Sequence, residues 1–569
     1  MTQRNLEQIQ SLLRGLPLGT SYEILSQDEP NNEEAFHEVN DIQDADEDTG
    51  LGHKGEIPMD VEYDSYEEQA QHAQGPLHGQ FAIEGKNNYK WYANNSEIPV
   101  LQVSEISFAK PNGDAKNIRT PLEAWSLLFS NDLLDIIVRH TNEEIRRRAE
   151  YKIEDLYRET NLVELKALLG LLYFTGLVRQ NPPSEDLWKP LFGIVSFASA
   201  IKKRRFYYLL ACLTFDDEAT RVERRKAHEL APIKEIWDLF ILNCTRNYFP
   251  SNCCTIDKQF LKFHGQFCSK VYVPDKPNKC GIKIVCMNDV QTSYLISAEP
   301  YAGRIPTLAG ESVPNYYVRK LSESIHHTGR NITCDNWFMS VDLVREMKIH
   351  YNLSMVGTLR KSMCEIPPSF TQNATPGTVR FGFAEGNTLV SYCPGSKKVL
   401  ILLSSFHKTG LVNVVTGSPE ILDFYTRTKE ATYRFDQMCQ AYTTVRHTSR
   451  WPLRIFFGML DHAGVNSLVL YNLQANMITS RINFIKELTY ALIQPQLQAR
   501  TESLVQQPAL PLTFQNIRKV QQQRRKTHKT ARCAFCTDVR LTAVRCVRCE
   551  RPSCEAHRIT VCKSCNEAI

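Results

Sequence analysis

Residues 253–265 read CCTIDKQFLKFHG, and 331–336 read NITCDN. Both are short runs rich in β-branched and aromatic residues that carry one aspartate, Asp257 or Asp335, and end at turn-forming residues. That is how a strand is written when it must deliver a carboxylate to the end or edge of a sheet. Working outward, SKVYVPDKP, CGIKIVCMND and SYLISAEPY add further strand-like runs, and VDLVREMKIHY and LSMVGTLR supply a helix and another strand. A helix is expected over Asn315 to His326. Strands mixed with helices in this order predict an α/β core.

The segment before this core has a different period. From about 118, TPLEAWSLLFSNDLLDIIVRHTNEEIRRRAE, NLVELKALLGLLYFTGLV, KKRRFYYLLACLTF and PIKEIWDLFILNCTRNYF space their apolar residues as helices do, and Pro121 sits near a helix start. After the first part of the core, TVRFGFAEG, TLVSYCPGS and KVLILLSSF are three strand-like runs without an intervening helix, which predicts an antiparallel β insertion. Helical spacing returns in TKEATYRFDQMCQAYTTVRHTS and WPLRIFFGMLDHAGVNSLVLYNLQ. The predicted boundaries are 1–80, 81–250 (helical), 251–365 (first part of the core), 366–424 (β-rich insertion), 425–500 (last part of the core and helices), 501–532 (linker) and 533–569 (cysteine-rich).

A chain of 569 residues is long enough for several such domains. Its net charge of +4 hides an asymmetry: residues 28–68 hold 16 acidic side chains and only Lys54 as a base, for −15, so the other 528 carry +4 − (−15) = +19. Acidic, polar and without periodicity, residues 1–80 are expected to be largely disordered, apart from a short amphipathic helix compatible with Leu6 to Leu16. The cationic remainder points to a polyanionic partner, nucleic acid before membrane. No stretch approaches the ~18 to 20 apolar residues of a membrane helix, since the best run, Leu165 to Val178, is broken by Lys166. The opening MTQRNLEQIQ lacks a secretory apolar core, so a reducing compartment is expected.

In that setting the 18 cysteines divide into two kinds. Eleven are scattered from Cys212 to Cys439 and read as buried thiols, while seven crowd the last 37 residues. With one histidine they form pairs separated by two residues: Cys533/Cys536, Cys546/Cys549, Cys554/His557 and Cys562/Cys565. Eight ligands make two closed tetrahedral zinc sites, which are structural. Spacing leaves the pairing open; an interleaved set of Cys533, Cys536, Cys554 and His557, with the other four on a second ion, ties the segment together best. Directly before it, Arg518, Lys519, Arg524, Arg525, Lys526, Lys529 and Arg532 put seven bases in fifteen residues, a run suited to phosphate contact or nuclear import.

Asp257, Asp335 and Asp436 lie at the ends of different core elements. Carboxylates converging from separate elements can hold two divalent cations for phosphoryl transfer, as an RNase H-like fold could build, although an aspartate at a strand end is more often a turn residue or cap.

Taken in order, PIKEIWDLF, TIDKQFLKFHG, VYVPDKPNKCGIKI, NITCDNWF, VGTLRKSMCEIP, LVSYCPGSKKVLILLSS, FDQMC, RWPLRIFFGML and the terminal cysteine array resemble the piggyBac family of transposases from about 118 to 569. The resemblance implies an RNase H-like catalytic core interrupted by a β-rich insertion, a flanking helical dimerisation and DNA-binding domain, and a C-terminal zinc-binding domain. It also implies cut-and-paste transposition at TTAA with Mg2+ or Mn2+, a homodimer acting on double-stranded DNA at transposon terminal repeats, and a nuclear location. Two catalytic aspartates fall on Asp257 and Asp335.

The third position departs from the family pattern. The stretch here is ATYRFDQ, so Tyr433 stands where the family has its third catalytic aspartate, and Asp436 is the second aspartate of that motif. A phenol with an ordinary pKa of about 10 is a poor ligand for a hard cation. Glu430, Tyr433 and Asp436 follow at i, i+3 and i+6, so Glu430 or Asp436 is the candidate substitute. The acid usual after the first aspartate is Lys258 here, and strand alternation is expected to point it away from Asp257.

These residues predict a transposase-derived DNA-binding protein with impaired chemistry. Two alternatives remain open: an active enzyme using Asp257, Asp335 and Asp436, or a chromatin or protein-interaction finger of RING or PHD type, whose histidine usually stands fourth or fifth rather than sixth.

Overall fold

The computed structural model describes residues 82–93, 107–149, 155–178, 185–188, 195–267, 271–272, 280–303, 312–372, 374–395, 398–475, 478–505, 531–533, 536, 541–542 and 554–557. The chain divides into a unit of Met1–Gly79 and a unit of Gln80–Ile569, and every described residue belongs to the second. The expectations for residues 1–80 lie outside the described residues.

The helical segment begins at α1 (Pro121–Leu128), where Thr120 and Glu123 close a capping box: the Thr120 hydroxyl accepts from the Glu123 amide at 3.1 Å and the Glu123 carboxylate accepts from the Thr120 amide at 3.2 Å. Next come α2 (Asn131–Ala149) and α3 (Leu162–Leu177), the latter capped by Asn161. Helix α3 is apolar nearly all round because it is buried, and it packs on α9 (Arg481–Val505). Gly170 permits this close approach: a Cβ there would come within 2.9 Å of Leu492 and Ile493. Helix α4 (Ala231–Arg246) closes this layer against the sheet, where the Trp237 indole donates to the Ala298 carbonyl at 3.0 Å.

The core strands are β1 (Cys253–Lys262), β2 (Cys280–Asp289), β3 (Leu295–Pro300), β4 (Asn331–Cys334) and β5 (Ser354–Thr358). β1, β2 and β3 form an antiparallel meander, and β4 then β5 join the other side of β1 in parallel, with α5 (Val341–Tyr351) as the β4–β5 crossover. The insertion strands β6 (Val379–Ala384), β7 (Asn387–Gly395) and β8 (Lys398–Ser404) are antiparallel. Since β8 pairs with β5 from Val356↔Ser404 to Thr358↔Leu402, the insertion extends the core sheet, and eleven of the described strands form one sheet; Lys110–Pro111 with Tyr248–Phe249 and Ala531–Arg532 with Leu541–Thr542 form two separate two-stranded sheets.

Four placements differ from the sequence reading. Ala82–Glu84 and Lys90–Tyr92, assigned to the helical domain, are strands joined to the insertion edge through Phe383↔Tyr92. Three-residue strands are too short to show alternation. The run 428–449 is not one helix: α6 (Glu420–Thr428) stops, α7 (Ala431–Ala441) restarts, and 443–449 is irregular. Helix α9 reaches Val505, past the expected start of the linker, and carries Pro495 inside it. The expected helix from Asn315 spans Val313–Ser322 and tightens into a 3₁₀ turn over Glu323–Ile325.

Candidate nucleic-acid-processing centre

Parallel pairing sets Ile256 opposite Cys334, so the next residues, Asp257 within β1 and Asp335 just past the end of β4, lie side by side. Neighbouring strands are about 4.8 Å apart, so the two carboxylates share one locality. The α6 terminus is pinned over this point: the Thr255 hydroxyl donates to the Thr428 carbonyl at 2.5 Å, and the Thr333 hydroxyl donates to the Thr428 hydroxyl at 2.8 Å. Thr255 and Thr333 each precede an aspartate by two residues, so one threonine fixes where the next helix enters. Close strand contact at Gly357 holds the floor, since a Cβ there would meet the Cys334 carbonyl oxygen at 2.4 Å.

Helix α7 then runs alongside β1. The Thr432 hydroxyl donates to Asn288 Oδ1 at 2.9 Å, and Asn288 lies opposite Thr255. One turn later, Asp436 accepts from Gln259 Nε2 at 2.9 Å and from Gln440 Nε2 at 2.7 Å. Tyr433 therefore stands near the level of Asp257, and Asp436 stands beyond it at the level of Gln259. Tyr433 is 61% exposed, and Glu430, the N-cap residue of α7, is also exposed. Helix α7 thus carries the expected third position as a solvent-facing phenol and binds Asp436 into an amide network.

Lys258 reaches the pair although alternation sets its Cβ on the face away from Asp257. Asp257 Oδ1 accepts from the Lys258 main-chain amide at 2.7 Å, yet the Lys258 ammonium lies 2.8 Å from Asp335 Oδ2. The four-carbon stem carries the charge past the strand and along the faces of Trp337 (5.1 Å) and Phe338 (5.6 Å). Asp335 Oδ1 in turn accepts from the Trp337 amide at 3.0 Å.

Three further residues shape the site without having been picked out in the sequence. Gln259 is 2% exposed and joins Asp436 to His462, whose Nε2 lies 2.7 Å from its amide oxygen. Tyr425 of α6 is buried, and burial, with Asp335 and Asp257 nearby, pushes its hydroxyl pKa up, so the phenol stays protonated. Burial likewise pushes the Cys334 thiol well up beside both aspartates, which keeps it a neutral core group. Only the adjacency of Gln259 to Asp257 could have drawn attention to it, and nothing in sequence marks Tyr425.

A hard divalent cation takes about six oxygens in near-octahedral order. This centre offers two adjacent carboxylates, one of them already bound by an ammonium, and a solvent-facing phenol at the third position. The donor set does not fit a two-cation site.

The cysteine-rich segment is described only in part. Cys533, Cys536 and Cys554 place their sulfurs within 4.8 Å of one another, with Cys536 and Cys554 Sγ at 3.5 Å and the Cys554 amide donating to Cys533 Sγ at 3.3 Å. Three thiols so placed fit a tetrahedral ion. Residues 555–557 form a 3₁₀ turn that carries His557 directly after Cys554. Cys546, Cys549, Cys562 and Cys565 lie outside the described residues, as do Arg518, Lys519, Arg524, Arg525, Lys526 and Lys529; Arg532 is described and exposed.

Comparison with known proteins bears on this arrangement. A family model described as Transposase IS4 matches residues 120–468. The solved structure titled "Cryo-EM structure of piggyBac transposase synaptic complex with hairpin DNA (SNHP)" superposes with a TM-score of 0.69 at 33% identity, covering 80% of this chain and 100% of that one. The chain belongs to the piggyBac transposase family. Among curated human relatives, PiggyBac transposable element-derived protein 3 and the Chimeric ERCC6-PGBD3 protein are each 23% identical over 290 residues, 49% of this chain. The match spans 46% of the first and 26% of the second, so this piggyBac-family chain aligns with about half or less of either.

Proposed function

We propose that this piggyBac-family chain is a transposase-derived DNA-binding protein whose strand-cutting chemistry is impaired. The observation that carries the reading is Tyr433, 61% exposed at the level of Asp257, while Asp436 is held by Gln259 and Gln440. The β1–β5 order, with a helix laid along the first strand, is consistent with an RNase H-like core, in which phosphoryl transfer needs metal-bound carboxylates from three elements. An enzyme using Asp436 would have to withdraw it from two amide donors. Double-stranded DNA as partner is supported by the +19 charge outside the acidic segment and by the DNA complex named for the solved relative. In this reading Cys533, Cys536, Cys554 and His557 hold one structural zinc, Cys546, Cys549, Cys562 and Cys565 a second, and the protein acts as a nuclear homodimer.

The test is metal-dependent nicking of TTAA-flanked ends by wild type and by Tyr433→Asp. Wild type is expected not to nick, and any gain of nicking is expected in the variant, which restores a third carboxylate. Robust wild-type nicking that Asp257→Ala abolishes would refute the proposal.

A further inference from the structure

Lys258 touches both aspartates of the centre. Its amide proton goes to Asp257 Oδ1 at 2.7 Å, and its ammonium sits 2.8 Å from Asp335 Oδ2. Asp335 Oδ1 takes the Trp337 amide, so both oxygens of that carboxylate are engaged. The ammonium is not a loose surface charge: it lies against Trp337 and Phe338, and a second cation, Lys283, lies 4.9 Å from the same indole. The Lys258 ammonium therefore already offsets the charge of Asp335 before any ion arrives.

We infer that Lys258 is an intramolecular counter-ion that keeps divalent cations off the Asp257–Asp335 pair. The inference deepens the impaired-chemistry reading, because it adds an obstacle to metal binding independent of Tyr433. A dication entering here must displace the ammonium from Asp335 or lie within a few ångströms of it. Like charges at that separation repel strongly when partly removed from water. Arginine would keep the obstacle, whereas a neutral side chain of similar length would remove it.

The experiment titrates full-length, zinc-loaded protein with Mn2+ and reads the free ion by electron paramagnetic resonance. Wild type and Lys258→Arg should bind weakly. Lys258→Met should bind about tenfold tighter or more, and the gain should vanish in Lys258→Met/Asp257→Asn. Lys258→Gln serves as the second neutral variant if methionine disturbs folding, judged by circular dichroism. Wild-type affinity equal to that of the neutral variants, with Asp257→Asn lowering all of them, would overturn the inference. Nicking by the same wild-type sample reports separately on impairment. Nicking together with a gain in the neutral variants refutes only the impairment, and no nicking with no gain refutes only the role of Lys258.

Discussion

Gln259 Nε2 donates to Asp436 Oδ1 at 2.9 Å, and that bond orients every group around it. Because the Gln259 nitrogen is the donor to Asp436, its oxygen must accept from His462 Nε2, 2.7 Å away. His462 is thereby the neutral Nε2-protonated tautomer, with Nδ1 lacking a partner among the described residues. Asp436 ties α7 to β1 and, through Gln259, to α8 (Trp451–Ala475).

Asp436 is accordingly expected to matter to stability. Asp436→Ala leaves the buried Gln259 amide without its acceptor and should cost about 1–3 kcal/mol, while Asp436→Asn, which retains an oxygen, should lose less than half of that. Urea denaturation measures both. An alanine variant as stable as wild type would contradict the pinning role.

The same cluster predicts a response to acid. Burial, with the Arg454 guanidinium beside it, pushes His462 down to about 3, and burial pushes His407 down to about 4, from the usual 6.5. The unfolded chain binds these protons below pH 6.5 and the folded chain does not. Their stabilising effect is therefore complete above pH 6.5 and is lost as pH falls toward the folded values. Each contributes a slope of about 1.4 kcal/mol per pH unit in that window. Asp289 and Asp461, whose buried carboxyls are pushed up, titrate with the opposite sign, so the clean comparison is wild type against His462→Gln. Between pH 4 and 6 the variant's denaturation free energy should fall less steeply, by about that one-proton slope. Equal slopes would mean that His462 is protonated in the folded chain.

The strands carrying Asp257 and Asp335 were legible because each is long or apolar enough to show its type, and residue spacing singled out the thiols of Cys533, Cys536 and Cys554. What stayed hidden depends on reach across the sheet. Alternation places the Lys258 Cβ on the face away from Asp257, but a lysine stem is longer than a strand spacing, so the charge ends on Asp335. The roles of Gln259 and Tyr425 depend on neighbours 177 residues away in one case and on burial beneath α6 in the other. The strand at Lys90–Tyr92 depends on a partner almost 300 residues later, Phe383.

Exposure makes Tyr433 a clean position to change. At 61% exposed, its ring contributes little to the core, so Tyr433→Asp should shift stability by no more than about 0.5 kcal/mol. Thermal unfolding of the two proteins should coincide within a few degrees. A large loss would show that the phenol is structural and would deprive the nicking comparison of its meaning.

The cysteine geometry discriminates between two ways of wiring the terminal segment. If the pairs were used in sequence, Cys533 and Cys536 would share an ion with Cys546 and Cys549, and Cys554 would belong to the other ion. Cys554 instead stands with Cys533 and Cys536 inside a 4.8 Å group, which favours the interleaved set. Removing any thiol of one tetrahedral site should release that ion alone, because the remaining three ligands bind far more weakly. Cys554→Ser and Cys533→Ser should each lower bound zinc from two ions to one, and the double variant should still hold one. Sequential wiring requires the double variant to hold none, so native mass spectrometry of the three proteins decides between the arrangements.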